Sequence, residues 1–427
     1  MNINLPKGAE YELRTERNKS SNVTFEGNKF ERIENTDQVI HTVRVTQGGK
    51  MNQTSGTKPG SEAELIERAI SKVKYGSPYD VPFVGHTELR EMNLVDEKTM
   101  DSKEMIEIMG DFVSDLLSLD DRLTVSARLR SAFSDVNLKT SLGFDGSFRK
   151  SVWTWGGSVE FTQGDDSFSL WKSEKDIRPS LNLKAIKETF AKKLEYAKTV
   201  VSFDAGAYPV IFSPREMGNL VNPFIQSLNG QWVHRNVSPW ADKLGQELLD
   251  ARFTMVDDGS LDGEWTSKPF DMEGTPTRRN VMIQNGRIEG VLTNRKVAAL
   301  LGQDSSGNGT ETGPTPHLLM IGAGSKPLEE LIGSIDKGLL IDGTVGAWSG
   351  NPFNGVVSGT VSVGLKIEKG KIVGRVKDCI FTINAFEHFK NHLVDCSTET
   401  EQAQASFSSA ALFPYVMLDE VVISAKS

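Results

Sequence analysis

At 427 residues the chain is long enough for two domains, each with its own core. A net charge of −9, from 48 basic and 57 acidic residues spread along the chain, argues against the basic footprint of a nucleic-acid-binding protein. No apolar run approaches the roughly 20 residues that span a membrane. The opening MNINLPKGAEYEL lacks the basic and apolar regions of a signal peptide. The two cysteines, Cys379 and Cys396, read as free thiols of a cytoplasmic protein rather than as a disulfide.

In chain order, residues 9–57 predict an antiparallel meander. YELRTER, NVTFEG, NKFERIE and QVIHTVRVTQ alternate apolar and polar residues, with turns at Gly27-Asn28 and Gly48-Gly49. Ser61 to Glu64 then reads as a capping box opening a helix whose apolar stripe is Leu65, Ala69, Ile70 and Val73. Residues 76–100 are rich in loop formers. A helix is predicted from about Lys103 to Leu119. Strand patterns return in LTVSARLRSAF, VNLKTSLG, FRKSVWTWG, GSVEFTQG and SFSLWKS, and a third long helix follows over Leu183 to Val200.

After residue 200 strand and turn signals dominate. The strand YPVIFS leads into SPREMGNLVNPFIQSLNG. Here Ser213 suits an N-cap, Pro214 the first helical position and Glu216 the third position of a capping box. Met217, Leu220, Val221, Phe224, Ile225 and Leu228 form one apolar face. Asn222-Pro223 predicts a kink, and Gly230 a stop. VMIQNGRIEGVLTN and LKIEKGKIVGRVKDCIFTI predict hairpins turning at Asn285-Gly286 and Lys369-Gly370. The fold class is therefore α+β. An N-terminal domain of antiparallel meanders and long helices (1–200) precedes a β-rich, barrel-like C-terminal domain (201–427).

Local motifs for chemistry are few. His388 and His392 lie four apart, so on a helix they share a face and could ligate a metal. A surface helix with two histidines is the simpler explanation, since no third ligand is recognisable beside them. Cys396 is the nearest soft ligand. The acidic stretch Asp257, Asp258, Asp262, Asp271 and Glu273 has no EF-hand spacing, which favours turn and cap roles. Neither SGNG at 306–309 nor GNPFNG at 350–355 is a phosphate cradle. No nucleophile elbow or Cys–His arrangement stands out.

The series SPWADKLGQELLD, KPFDMEGTPTRRNVMIQNGRIEGVLTN, SSGNG and SGNPFNGVVSGTVSVGLKIEKGKIVGRVKDCIFTIN resembles the TldD/PmbA family, historically called modulators of DNA gyrase. Pro269 to Arg279 is the most specific piece of the likeness, which runs through residues 200–395 and weakly upstream to Thr140–Gly143 and the first meander. The resemblance implies an N-terminal α/β domain, a C-terminal barrel-like domain and pairing into dimers. It implies two branches. One is a zinc metallopeptidase acting on unfolded or flexible peptides, with a His-Glu-x-x-x-His helix. The other, PmbA or TldE-like, lacks the metal site and serves as partner.

Aligned on YPVIFS, the motif falls on Arg215 to Leu220, with Arg215 and Leu220 where imidazoles stand and only Glu216 kept. A guanidinium stays protonated and leucine has no donor atom, so two of three ligands are lost. The expectation is a non-catalytic subunit that binds no zinc itself, the zinc lying in a TldD-like partner, or a homodimer when that partner is absent. It would bind peptide and neither nucleic acid nor membrane. Gly350, Asn351, Gly355, Ser358 and Gly359 are candidates for the peptide-facing wall, since small residues admit a backbone. Two alternatives stand beside it: a free-standing peptidase with a relocated site at His388, His392 and Cys396, and a gyrase modulator.

Overall fold

The computed structural model describes residues 5–405 and 409–425, so residues 1–4 of the opening stretch lie outside it. The N-terminal part contains β1 (Glu10–Glu26), β2 (Lys29–Gln47), β3 (Lys50–Gly56), α1 (Glu62–Lys72), β4 (Ser77–Pro78), α2 (Ser102–Leu117), β5 (Leu123–Thr140), β6 (Asp145–Gln163), β7 (Asp166–Asp176) and α3 (Leu183–Ala197). Its strands form one antiparallel sheet in the order β4-β3-β2-β1-β5-β6-β7. The predicted meander is real, but its strands are twice as long as the alternation suggests. YELRTER and NVTFEG fuse into β1, NKFERIE and QVIHTVRVTQ into β2. The polar run between the first two pairs on both sides, Ser20 with Thr36 and with Ala132, so ladder bonds satisfy its backbone without an apolar face.

One face of this sheet carries Val23, Val125, Leu129, Trp153 and Trp155 under α2 and α3. α1 closes over Leu13, Val43 and Val45. The capping box expected for α1 does not form. The Ser61 hydroxyl and N–H both turn to the Lys58 carbonyl, and Glu64 pairs with Arg68 instead.

The C-terminal part begins with β8 (Gly206–Phe212), α4 (Pro214–Ser227) and α5 (Gly230–His234). Next come β9 (Met255–Asp258), β10 (Arg279–Gln284), β11 (Arg287–Ile288), α6 (Arg295–Leu301), β12 (Gly309–Thr310), β13 (Gly313–Pro314), β14 (Leu318–Ile321) and α7 (Leu328–Gly333). It ends with β15 (Lys337–Val345), β16 (Val356–Glu368), β17 (Lys371–Val376), β18 (Cys379–Asn384), α8 (Ala385–Asn391), β19 (Leu393–Gln404) and β20 (Ala410–Ala425). β8 pairs parallel with β15, and β15-β16-β18-β20 continue antiparallel until β20 meets β8 again. A five-strand barrel is thereby closed, which removes its edges. Alternation sends Phe212, Ile341, Val361, Phe381 and Val416 to the core shared with α4. It sends Ile211, Leu340, Val363 and Leu365 outward, into one continuous core with the N-terminal sheet and its helices. Among the described residues no helix is long and apolar enough to cross a membrane.

α4 departs from expectation in three ways. It runs unbroken through Pro223, which is buried, so burial offsets the one lost ladder bond. It ends before Gly230, which starts α5. Ser213 occupies the N-cap with extended backbone, but its hydroxyl makes no cap bond.

Candidate functional site

The head of α4 is where the barrel meets the N-terminal sheet. β8 delivers the chain to Ser213, whose N–H donates to the Ile341 carbonyl of β15. The donor that a capping-box glutamate would accept is thus already used. Glu216 turns instead to Thr344 at the end of β15, accepting from its N–H at 3.2 Å and from its hydroxyl, and from the Asn219 amide at 3.3 Å. The carboxyl is almost wholly buried. Burial raises its pKa above the ordinary range, while the Thr344 bond and the Arg215 charge pull against that rise. The expected capping role of Glu216 is therefore replaced by a tie between α4 and β15.

Arg215 leaves the helix on the other side. It is exposed, with its guanidinium carbon 5.9 Å from the half-exposed Trp171 ring of β7. Leu220 is fully buried in the barrel core. A guanidinium facing solvent and a leucine packed among Phe212 and Phe224 do not fit a zinc ion at these positions. Gly218 faces β19 so closely that a Cβ there would collide with the Gln404 carbonyl oxygen.

The five candidates for a peptide-facing wall all have internal contacts. A Cβ on Gly359 would meet the Ala347 Cβ at 2.9 Å, and one on Gly355 would meet the Phe386 ring at 2.6 Å. Gly350 lies 3.0 Å from the Val356 carbonyl oxygen by the same measure. Asn351 caps the turn at Pro352–Asn354 through Phe353 N. The Ser358 hydroxyl donates to the Phe381 carbonyl at 3.0 Å. At Gly359 and Gly355 the missing Cβ leaves room for Ala347 and the Phe386 ring of the same chain. What the same loop does present is an exposed apolar rim of Val345, Trp348 and Val356, 65%, 62% and 42% exposed. It follows directly on Thr344, the residue that holds Glu216. Neither Thr344 nor Trp171 stands out in sequence, because their role depends on strand ends meeting in space.

His388 and His392 do share the α8 end, with ring centroids 5.2 Å apart. Nδ1 of His388, however, faces the Asn384 carbonyl at 2.9 Å. Cys396 is buried, and burial, followed by the Asp395 charge, pushes its thiol up to about 12. Among the described residues no three His, Cys, Asp or Glu side chains form a group that could hold a metal, so the structure does not assemble the relocated site. Cys379 and Cys396 are both free and buried.

The acidic stretch is more than a set of surface turns. Asp257 is fully buried and accepts from Asn308 Nδ2 at 2.7 Å and from the N–H groups of His317 and Leu318. Asp271 accepts from Gly309, Glu273 and Thr275 N–H, and Glu273 from Arg295 N–H. Burial, with the Glu273 charge added, raises Asp271 to about 7. Glu273 also lies 3.6 Å from Arg44 of β2, which makes a two-pronged pair with Glu12 of β1 at 2.7 and 2.6 Å. Phe270 packs edge-on against Phe144 and Phe148. The segment from Pro269 to Arg279 is thus a clasp between the barrel part and the N-terminal sheet. A Cβ on Gly309 would stand 2.8 Å from both the Asp271 and Glu273 carboxylates, which explains the second glycine of SGNG.

The chain is thus an α+β protein whose closed five-strand barrel carries a helix with the buried Glu216 tied to the end of β15. The model of the PmbA/TldA metallopeptidase C-terminal domain matches residues 205–425, and the chain belongs to the PmbA/TldD family. An uncharacterized protein of Methanocaldococcus jannaschii is 25% identical over 76% of this chain and 82% of its own. The metalloprotease TldD homolog of Haemophilus influenzae is 28% identical, but over only 42% of this chain and 38% of its own. In structure, TldE from Thermococcus kodakarensis superposes with a TM-score of 0.90 at 23% identity, covering 97% of each chain. A Thermotoga maritima structure named for modulation of a DNA gyrase gives 0.89 at 21% identity, covering 98% of this chain and 96% of that one.

Proposed function

We propose that this chain is a PmbA/TldE-like, non-catalytic subunit of a TldD/TldE-type zinc metallopeptidase complex. In this reading it completes a chamber for unfolded or flexible peptides, and the zinc belongs to a TldD-like partner. One observation carries the proposal. At the helix where the family resemblance puts two imidazoles, Arg215 points to solvent and Leu220 is sealed in the barrel core, while Glu216 is tied to Thr344. A glutamate that accepts three bonds from neutral groups of its own chain is held away from a water-activating role. Helix and barrel are kept, and the metal chemistry is gone.

The chain's own contribution is surface. The rim of Val345, Trp348 and Val356, with Arg215 across from Trp171, offers an extended peptide apolar contact and a cationic donor. The test is co-expression with a TldD-like chain from the same source. Peptide hydrolysis that needs both chains, with this one inactive alone, supports the reading. Failure to co-purify, with hydrolysis by the partner unchanged when this chain is deleted, sinks it.

A further inference from the structure

The N-terminal sheet has a second face, turned away from α2 and α3. Leu129, Trp153 and Trp155 lie under those helices, so strand alternation sends their neighbours to the opposite side. There the register sets Arg128 beside Gly156, and Arg130, Thr154 and Lys175 in one row across β5, β6 and β7. Lys150 stands on the same side of β6, opposite Ser134. The loop at 259–268 reaches over this face. Lys175 Nζ lies 4.6 Å from the centroid of its Trp265 ring, and Lys150 Nζ donates to its Ser267 carbonyl at 2.8 Å. Lys268 adds a cation from the loop. Burial, followed by the Lys268 charge, lowers Lys150 to about 7. Arg215 adds another at the β7 edge, through Trp171.

The chain as a whole is acidic, at −9, yet among the described residues none of these six cations makes an ion pair. The acids nearest to them are spent elsewhere. Glu16 pairs with Arg14, Glu34 with Arg32, and Asp271 accepts from three N–H groups. Like charges gathered without counter-charge make a field that an anion relieves. We propose that this face is the bed for an acidic segment of an extended peptide, so that the chain selects substrates rich in Asp and Glu. The inference rests on the peptide-handling reading above and names its substrate class. An extended chain sends alternate side chains to one side about 6.6 Å apart, which is also the spacing of Arg128 and Arg130 along β5. The strand positions from Gly156 back to Lys150 span about 20 Å at roughly 3.3 Å per residue, room for about six residues of such a peptide. Arg128 and Arg130 are exposed, and their guanidinium forks suit carboxylates. A single-stranded nucleic acid would need free aromatic faces for its bases, and both rings here already face a cation.

The test uses the full chain by itself. A labelled Glu-Ser repeat peptide, followed by fluorescence anisotropy, should bind with an affinity that falls as salt rises. A Lys-Ser repeat of the same length should not bind. Arg130→Glu and Lys175→Glu should each weaken binding by about tenfold or more. Lys371→Glu adds the same charge on exposed β17, whose Ile372 packs in the core on the sheet's other face, and should leave binding unchanged. Unchanged melting curves for the variants separate loss of binding from loss of fold. Absence of binding, equal binding of the two repeats, or an equal loss in Lys371→Glu overturns the proposal. So does a single-stranded DNA that binds this face more tightly than the acidic peptide. Hydrolysis of uncharged peptides by a complex with a TldD-like chain would survive any of these failures. Conversely, failure to co-purify with such a chain sinks the subunit reading and leaves the binding of acidic peptide intact.

Discussion

Glu216 and Asp271 are both buried, and burial raises the proton affinity of both, yet they belong to different kinds of structure. Glu216 stands apart from the clasp, among a threonine, an asparagine and the helix end, at the mouth of the barrel. Asp271 is one of a charged set with Glu273, Arg44 and Glu12 that joins barrel to sheet. The difference teaches that a buried carboxylate with a raised pKa does not by itself mark a catalytic acid or base. What decides is whether its bonds leave an atom free to meet substrate. Glu216 spends its oxygens on β15, and Asp271 spends its own on three backbone N–H groups.

The largest effect on stability is expected at the clasp. Arg44→Ala leaves Glu12 and Glu273 buried without their cation and should cost about 3–5 kcal/mol of stability by denaturant unfolding. A loss below about 1 kcal/mol would mean that the carboxylates were never desolvated as a set. At the barrel mouth, Gly218→Ala forces α4 away from the Gln404 backbone and should cost about 1–3 kcal/mol, read as a lower melting temperature.

The pH response sharpens the contrast. Asp271 rises from 3.8 when unfolded to about 7 when folded, so the folded state holds its proton more tightly. Its contribution is fully present below about pH 4 and is lost as pH rises through about 7. Glu273→Gln removes the charge that assists this shift. Its stability profile should therefore fall less between pH 4 and 7 than that of the wild type. Identical slopes in the two proteins would count against the coupling. The smallest effect on stability is expected at the rim. Trp348→Ala should change it by less than about 0.5 kcal/mol while weakening peptide capture by the complex.

The hairpins were legible because Asn285-Gly286 and Lys369-Gly370 impose a turn locally, and both pairs take positive φ. The helices were legible from their apolar stripes. Strand length was not, because Asn18 to Ser21 and their neighbours are held by ladder bonds on both sides rather than by an apolar face. Both capping boxes failed for a shared reason. Ser61 and Ser213 had already committed their N–H groups, to Lys58 and Ile341, and nothing in the local pattern reveals that. The positions that matter at the α4 head could be named from the family resemblance, but Thr344 and Trp171 could not. Likewise the acidic residues looked like turn formers, and some do bond local N–H groups. The burial of Glu273 beside Arg44 and Glu12 comes from strands more than two hundred residues upstream, and that of Asp257 from Asn308 and His317 downstream.

Zinc content and peptide hydrolysis, measured on this chain alone and on its complex with a TldD-like chain, test the central claim most directly. The chain alone is expected to hold no stoichiometric zinc and to show no hydrolysis. The active complex is expected to hold about one zinc per heterodimer, with activity kept in Glu216→Gln. One zinc per chain in this protein by itself, or hydrolysis abolished by Glu216→Gln in a folded complex, would contradict that claim.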